Sequence, residues 1–230
     1  ATSLGTQRLR SEFDVPREIR GFPSYLRGAG YYCCNNVKTD YNTSAEPRLI
    51  AQSWDESSGK AHWRKRKAGQ PFFAVFNLTA THQSQVFEST PSKLEPRERH
   101  DPATAPLPPY YPDTPTARRT MARVHDCLTA MDQHAGRILD ELAGDGLEDD
   151  TIVFFWPDHG QGIPRGKRTL WDTGLKVPLV VHFPEKYRHL ASSAAGGTCD
   201  RLVSLMDLGP TLLSIAGLPF LGIMGVFTAV

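Results

Sequence analysis

Thr151-Ile-Val-Phe-Phe-Trp-Pro-Asp-His-Gly160 is an apolar run that stops abruptly at an acid, an imidazole and a glycine. Residues 151–156 are β-branched or aromatic and show no helical spacing. Such a continuous run predicts a central strand buried on both faces. In open α/β sheets the ligand lies beyond the carboxyl ends of the strands, and Asp158 and His159 fall at such an end. Gly160 lets the backbone turn sharply there. Aspartate supplies hard oxygen and histidine supplies nitrogen, so the pair can hold a divalent cation. Taken alone, Asp-His-Gly is more commonly a surface turn, so its neighbours decide.

Downstream, Gln161-Gly-Ile-Pro-Arg-Gly-Lys-Arg168 is a glycine-rich basic loop, and Trp171-Asp-Thr-Gly-Leu-Lys-Val-Pro-Leu-Val-Val181 leads into another β-run. Upstream, Pro16–Gly30 reads as a helix with Phe22, Leu26 and Ala29 inward. Tyr31–Val37 and Pro71–Leu78 read as strands, the second buried. Residues 43–70 are polar and show no clean period. Residues 102–115 are dense in proline, which predicts an extended loop. Thr114 then Pro115 suits an N-cap and first helical position. Val124, Leu128, Met131, Ala135, Ile138 and Leu142 form one apolar stripe on the helix that follows, and Gly144 and Gly146 end it. This order of elements predicts an α/β fold with a mixed or parallel sheet.

A chain of 230 residues can form one sizeable core and bury roughly 70–75% of its unfolded surface. Hydrophobic content of 40% and charged content of 22% are ordinary for a globular domain. A net charge of +1 gives no reason to expect a nucleic-acid or membrane partner. The basic cluster Arg64-Lys-Arg-Lys67 reads as a solvated loop, although Trp63 beside it could stack on a base or sugar. Four cysteines are too few and too irregular for a disulfide framework, and Cys33 and Cys34 read as small buried residues. Asn42-Thr-Ser44 and Asn77-Leu-Thr79 fit the glycosylation pattern, but Asn77 ends an apolar strand, which argues against a glycan there. The N-terminus shows no signal-peptide pattern, and no apolar run is long enough to span a bilayer.

Asp-His-Gly, Pro-Arg-Gly-Lys-Arg and Asp-x-Gly-x-x-Val-Pro-Leu together resemble the metal- and anion-binding core of the type I sulfatases, in the alkaline phosphatase superfamily. Further pieces match in the family's order: Gly30-Tyr-Tyr, Lys38-Thr-Asp-Tyr, Pro71–Asn77 before Thr81-His82, the helix 132–150, and Asp207–Gly217. The resemblance runs to about Pro219. It implies an alkaline phosphatase-like sheet with helices on both faces, incomplete, with residues 1–219 a partial catalytic domain and 220–230 a divergent or truncated tail.

The resemblance places Asp158 and His159 as metal ligands. His82, Lys38 and Lys167 take catalytic, sulfate-contacting roles, and Arg165 joins Lys38, His82 and Lys167 in binding the substrate. The implied cofactor is a divalent metal, calcium first. His159 stands where asparagine is frequent, and as a softer ligand it admits manganese or zinc. Asp40 occupies a position that is often histidine; it can hold Lys38 or face the sugar. The family's nucleophile is a formylglycine made from a Cys/Ser-x-Pro/Ala-x-Arg motif. None of Cys33, Cys34, Cys127 or Cys199 stands in that motif, so no nucleophile is expected in this chain, and Ala1–Ser11 resembles the segment just downstream of it. The expected function is metal-assisted hydrolysis of sulfate esters or sulfamates, with a sulfated small molecule or sugar as partner; the chain by itself is expected to be inactive. The alternatives are a phosphodiesterase or phosphonate hydrolase of the same superfamily, or a non-catalytic binding module. Family members are commonly secreted, periplasmic or lysosomal.

Overall fold

The computed structural model describes residues 11–219; the expected tail 220–230 lies outside them. The chain divides into two compact units. The first combines the described residues up to Asn77 with those from Asp200 onward, and the second is Leu78–Cys199.

The first unit begins with helix α1 (Pro23–Gly28), strand β1 (Tyr32–Asn36), helix α2 (Glu46–Ser53), the two-residue strand β2 (Glu56–Ser57) and strand β3 (Phe72–Phe76). The strands form a parallel sheet in the order β2-β1-β3, and α2 supplies the crossover that a parallel β1–β2 pair requires. The expected helix over 16–30 is thus confined to α1, with Leu26 buried and Ala29 exposed. Two-residue periodicity explains the packing of β3. Phe73 joins Leu26, Cys33 and Leu213 on one face, while Phe72 and Phe76 meet Trp63 on the other. Trp63 is only 2% exposed, so it is a core residue and not a stacking platform. Lys65 is held by Glu56 at 2.6 Å, and Arg66 lies over Phe72. Arg27 ties α1 to α2 by donating to the carbonyls of Ala51 and Gln52 and pairing with Asp55 at 3.0 Å.

Burial in this sheet perturbs both β1 thiols. Desolvation, reinforced by the carboxylates of Glu56 and Asp55, lifts Cys34 from 9.0 to about 12, and Cys33 rises for the same first cause. The fold therefore favours the protonated thiol. The stability this confers is present below the unfolded pKa and is lost as pH rises from about 9 towards 12. The midpoint of urea unfolding is expected to fall over that interval, and Cys34→Ala is expected to flatten the fall.

In the second unit, helix α3 (Pro115–Gly144) leads to strand β4 (Val153–Phe155), the short helix α4 (Asp172–Leu175) and strand β5 (Val180–His182). Thr114 caps α3 by accepting from the Ala117 N–H at 3.2 Å, with Pro115 at the first position. The helix buries Met121, Ala122, Val124, Ala130 and Leu142, while Leu128, Met131, Ala135 and Ile138 of the expected stripe are half-buried. It also anchors two loops. Asp126 accepts both the backbone N–H (2.8 Å) and Nδ1 (2.9 Å) of His100, and Arg123 donates to the carbonyls of Gln85 and Thr90.

The strand expected over 151–156 is shorter and less buried than its composition implies. Among the described residues β4 pairs only with β5, antiparallel. Phe155 is 38% and Val180 57% exposed. An apolar run reports which side chains a strand carries, and among the described residues no second strand pairs with β4 to bury them fully. Helix α5 (Leu208–Ile215) returns to the first unit, entered through a capping box between Ser204 and Asp207. Among the described residues the buried apolar side chains form four small clusters, in place of the single sizeable core expected from chain length.

Candidate active site

Three residues beyond the end of β4 the chain enters a tightly wound segment, 158–175. Gly160 sits so close to the α4 turn that a Cβ there would lie 1.9 Å from the Thr173 carbonyl oxygen. At Gly166 a Cβ would lie 2.1 Å from the Gln161 carbonyl oxygen. Only hydrogen fits at either position. The Lys167 N–H donates to Gln161 at 2.7 Å and the Gly166 N–H to Ile163 at 2.9 Å. Arg165 and Arg168 both have positive φ, 65° and 71°, a strained backbone for residues with a Cβ. The segment is pinned externally as well. Tyr111 donates its hydroxyl to the Pro164 carbonyl at 2.7 Å, and Gly162 abuts the side chain of Gln83, the residue after His82.

Two histidines of this unit, His82 and His159, carry opposite tautomers. His159 Nδ1 lies 2.8 Å from the Gly160 carbonyl oxygen. A carbonyl only accepts, so Nδ1 holds the proton and Nε2 presents a lone pair. That Nε2 is 3.5 Å from Asp158 Oδ2, which puts two electron-donating atoms side by side. At His82, Nδ1 instead accepts, from the Ser84 hydroxyl (2.8 Å) and the Ser84 backbone N–H (3.3 Å). Gln85 donates in turn to Ser84 Oγ. The His82 proton is therefore on Nε2, on an exposed ring. One imidazole thus presents a lone pair at Nε2 and the other an N–H.

Lys167 is half-buried, and its ammonium has no protein partner among the described residues. Arg165 places its guanidinium 4.5 Å from the centre of the Tyr110 ring and 4.8 Å from that of Trp171. The structure brings Asp158, His159, Arg165 and Lys167 into one wound segment, with His82 beside it through the Gln83–Gly162 contact.

Lys38 belongs to the first unit, two residues after β1, with its ammonium 3.6 Å from Asp40. Asp40 and Asn42 have φ of 47° and 53°. The loop is held by Asn35, which is fully buried. Its Nδ2 donates to the Lys38 carbonyl and to Ser57 Oγ, both at 3.0 Å, and its Oδ1 accepts from Asn77 Nδ2 at 2.9 Å. Asn35→Ala is expected to cost about 1–3 kcal/mol, because the Lys38 carbonyl and the Asn77 amide both lose a partner. Chemical denaturation measures the loss.

The sulfatase family model matches residues 20–218. The chain belongs to the sulfatase family. An ulvan-active sulfatase of Formosa agariphila is 38% identical over 88% of this chain and 37% of its own length. Human N-sulphoglucosamine sulphohydrolase is 34% identical over 54% of this chain and 24% of its own length, and mouse iduronate 2-sulfatase is 26% identical over 77% and 37%. The chain thus spans well under half the length of these sulfatases.

Sulfatases in general use a divalent metal. Among the described residues no group of three or more His, Cys, Asp and Glu side chains gathers around one point. Asp158 and His159 are therefore a pair of donors, chemically suited to a cation through a carboxylate and an imidazole lone pair, that leaves other positions of the shell to other ligands. Among the described residues no helix is long and apolar enough to cross a membrane. None of the three thiols with a resolved shift is activated, since burial raises Cys33, Cys34 and Cys127 alike. Sequence reasoning missed Ser84 as the partner of His82, and Asn35 and Asn77 as supports of the Lys38 loop. The signal for Ser84 was its place two residues after a candidate histidine; Asn35 offered only a polar residue inside an apolar strand.

Proposed function

We propose that this chain forms the sulfate-gripping and leaving-group side of a sulfuric ester hydrolase acting on sulfated sugars. The observation that carries this reading is the opposed protonation of His159 and His82 beside the wound basic segment. Asp158 and His159 Nε2 would hold a divalent cation, which supplies counter-charge to the sulfate oxygens. Calcium is the first expectation, and the imidazole nitrogen makes manganese and zinc its competitors. Lys167 offers to a sulfate oxygen an ammonium that has no partner among the described residues. His82 Nε2–H donates a hydrogen bond to the ester oxygen. As the nucleophile of the full-length protein attacks sulfur and the S–O bond breaks, that hydrogen bond stabilises the charge developing on the departing oxygen, and the Ser84 hydroxyl and backbone N–H, hydrogen-bonded at Nδ1, keep the ring in register. In the first unit, Lys38, steadied by Asp40 and by the Asn35 hub, keeps the sulfate-contacting role that the family resemblance implies. Two relatives, an ulvan-active sulfatase and an N-sulphoglucosamine sulphohydrolase, support a sulfated sugar as substrate.

Leaving-group chemistry tests this reading. A sugar alkoxide is a poor leaving group and depends on that hydrogen bond, whereas a nitrophenolate does not. In the native full-length protein His82→Ala is expected to lower kcat on a sugar sulfate by about 10²–10³ and on nitrophenyl sulfate far less. Equal losses on both substrates would remove His82 from the leaving-group role.

A further inference from the structure

The Arg165 guanidinium has its ring neighbours on Tyr110 and Trp171, but it donates no hydrogen bond and makes no ion pair to any described residue. Arg165 is also exposed. What sets it apart is the pair of rings that hold it. Stacking uses the face of the guanidinium plane, whereas its five N–H donors lie in the plane and point outward from its edge. The aromatic contacts therefore fix the orientation of the fork without consuming any donor. Fixing it in advance removes much of the side-chain entropy that binding would otherwise cost.

The backbone reinforces the arrangement. Arg165 has φ of 65°, its carbonyl accepts from the Thr173 hydroxyl, and the carbonyl of the preceding Pro164 accepts from Tyr111. Strain of this kind persists only where the surroundings enforce it. Two residues on stands Lys167, the cation assigned above to the sulfate. A purely structural arginine would be expected to direct its N–H groups at carbonyls, as Arg27 and Arg118 of this chain do.

We propose that Arg165, held over Tyr110 and Trp171, is a second oxyanion subsite that binds an additional acidic group of the substrate, a carboxylate or a further sulfate, beside the sulfate taken by Lys167. The substrate class is then a saccharide with at least two negative groups, not a neutral sugar with a single sulfate. This rests on the sulfate reading of Lys167. A guanidinium edge matches two oxygens of one oxyanion at once, and Trp171, itself 56% exposed, flanks the place where that group would sit.

The test is equilibrium binding to the 230-residue chain, read by tryptophan emission and by calorimetry. Three probes are used: a hexose monosulfate, the corresponding hexose disulfate, and a uronic acid monosulfate. The wild type is expected to bind at least one doubly charged probe about ten-fold more tightly than the monosulfate, the size of one charge-assisted pair. Whichever of the two is preferred identifies the second group as sulfate or carboxylate. Arg165→Gln is expected to erase the preference and leave the monosulfate affinity intact. Arg168→Gln, which removes a neighbouring positive charge, is expected to retain the preference. Trp171→Phe is expected to remove the emission change. Equal loss on all three probes in Arg165→Gln would make Arg165 only a clamp on the loop and would overturn the proposal, as would equal loss of the preference in Arg168→Gln, or a wild type that does not discriminate. Failure of the underlying reading has a different signature: Lys167→Ala would leave monosulfate affinity unchanged, and both readings would then fall together.

Discussion

Asp158→Ala is expected to lower turnover of a fluorogenic aryl sulfate by the native full-length protein by about 10³-fold or more, beyond the typical 10²–10³ loss of one oxyanion donor. A methyl group neither ligates nor carries charge. His159 Nε2 would keep its lone pair but lose the carboxylate 3.5 Å away, so the imidazole alone would face the cation. The variant is expected to lose bound metal as well, measured by elemental analysis of the dialysed protein. A readout independent of turnover exists in the chain itself. A ligand that binds only the folded state raises stability in proportion to the logarithm of its concentration over Kd. Millimolar calcium or manganese should therefore raise the melting temperature of the wild type and not of Asp158→Ala. Unchanged activity and unchanged metal content would leave Asp158 a turn residue.

Gly160→Ala is expected to be comparably damaging through an entirely different route. The added methyl would sit 1.9 Å from the Thr173 carbonyl oxygen and within 2.8 Å of two further backbone atoms. Backbone cannot rotate away as a long side chain can, so the 158–175 segment must open. Overpacking typically costs about 1–3 kcal/mol and more where backbone is the obstacle. Because Gly160 also fixes His159 through its carbonyl, the opening would release the ring that presents Nε2. The expected result is loss of metal-dependent stabilisation with native helix content retained, read by thermal melts with and without metal and by far-ultraviolet circular dichroism. Retention of that stabilisation would mean that the segment tolerates opening and that its winding does not set the site.

Much of this was legible before any coordinates. Thr114-Pro115 announced the start of α3 because capping chemistry is local, and β1 and β3 stood out because their apolar runs are bounded by turn residues. The family followed from the order of its motifs. Other features depend on what lies across space. Helix α2 hid in a polar stretch, since its buried contacts amount to Leu49 and Ser53, one turn apart, with Pro47 at its first turn. Trp63 looked like a free ring beside four cations, and only the flanking Phe72 and Phe76 make it core. The run 151–156 looked fully buried because hydrophobicity records composition and not coverage. The residues of the site were named from motif positions, but their states were not. Whether an imidazole donates or accepts is decided by a serine backbone N–H in one case and a glycine carbonyl in the other. The partnership of Arg165 with Tyr110 joins residues that no local spacing connects.

The first unit has a consequence for biosynthesis. Its central cluster joins Leu26 and Cys33, near one end of the chain, to Leu213 in α5, near the other. A ribosome adds about 5–20 residues per second, so the face of β1 that carries Cys33 waits on the order of ten to forty seconds for the helix that covers it. During that interval Phe22, Phe73 and Trp54, the partly buried aromatics of the same cluster, stay within reach of solvent and of other nascent chains. Closure of so long a loop also slows the folding of the unit. The second unit, continuous from Leu78 to Cys199, has no such wait and can fold while α5 is still being made. Holdase chaperones are thus expected to engage the early segment, and yield on expression should depend on them more than the stability of the finished fold would suggest.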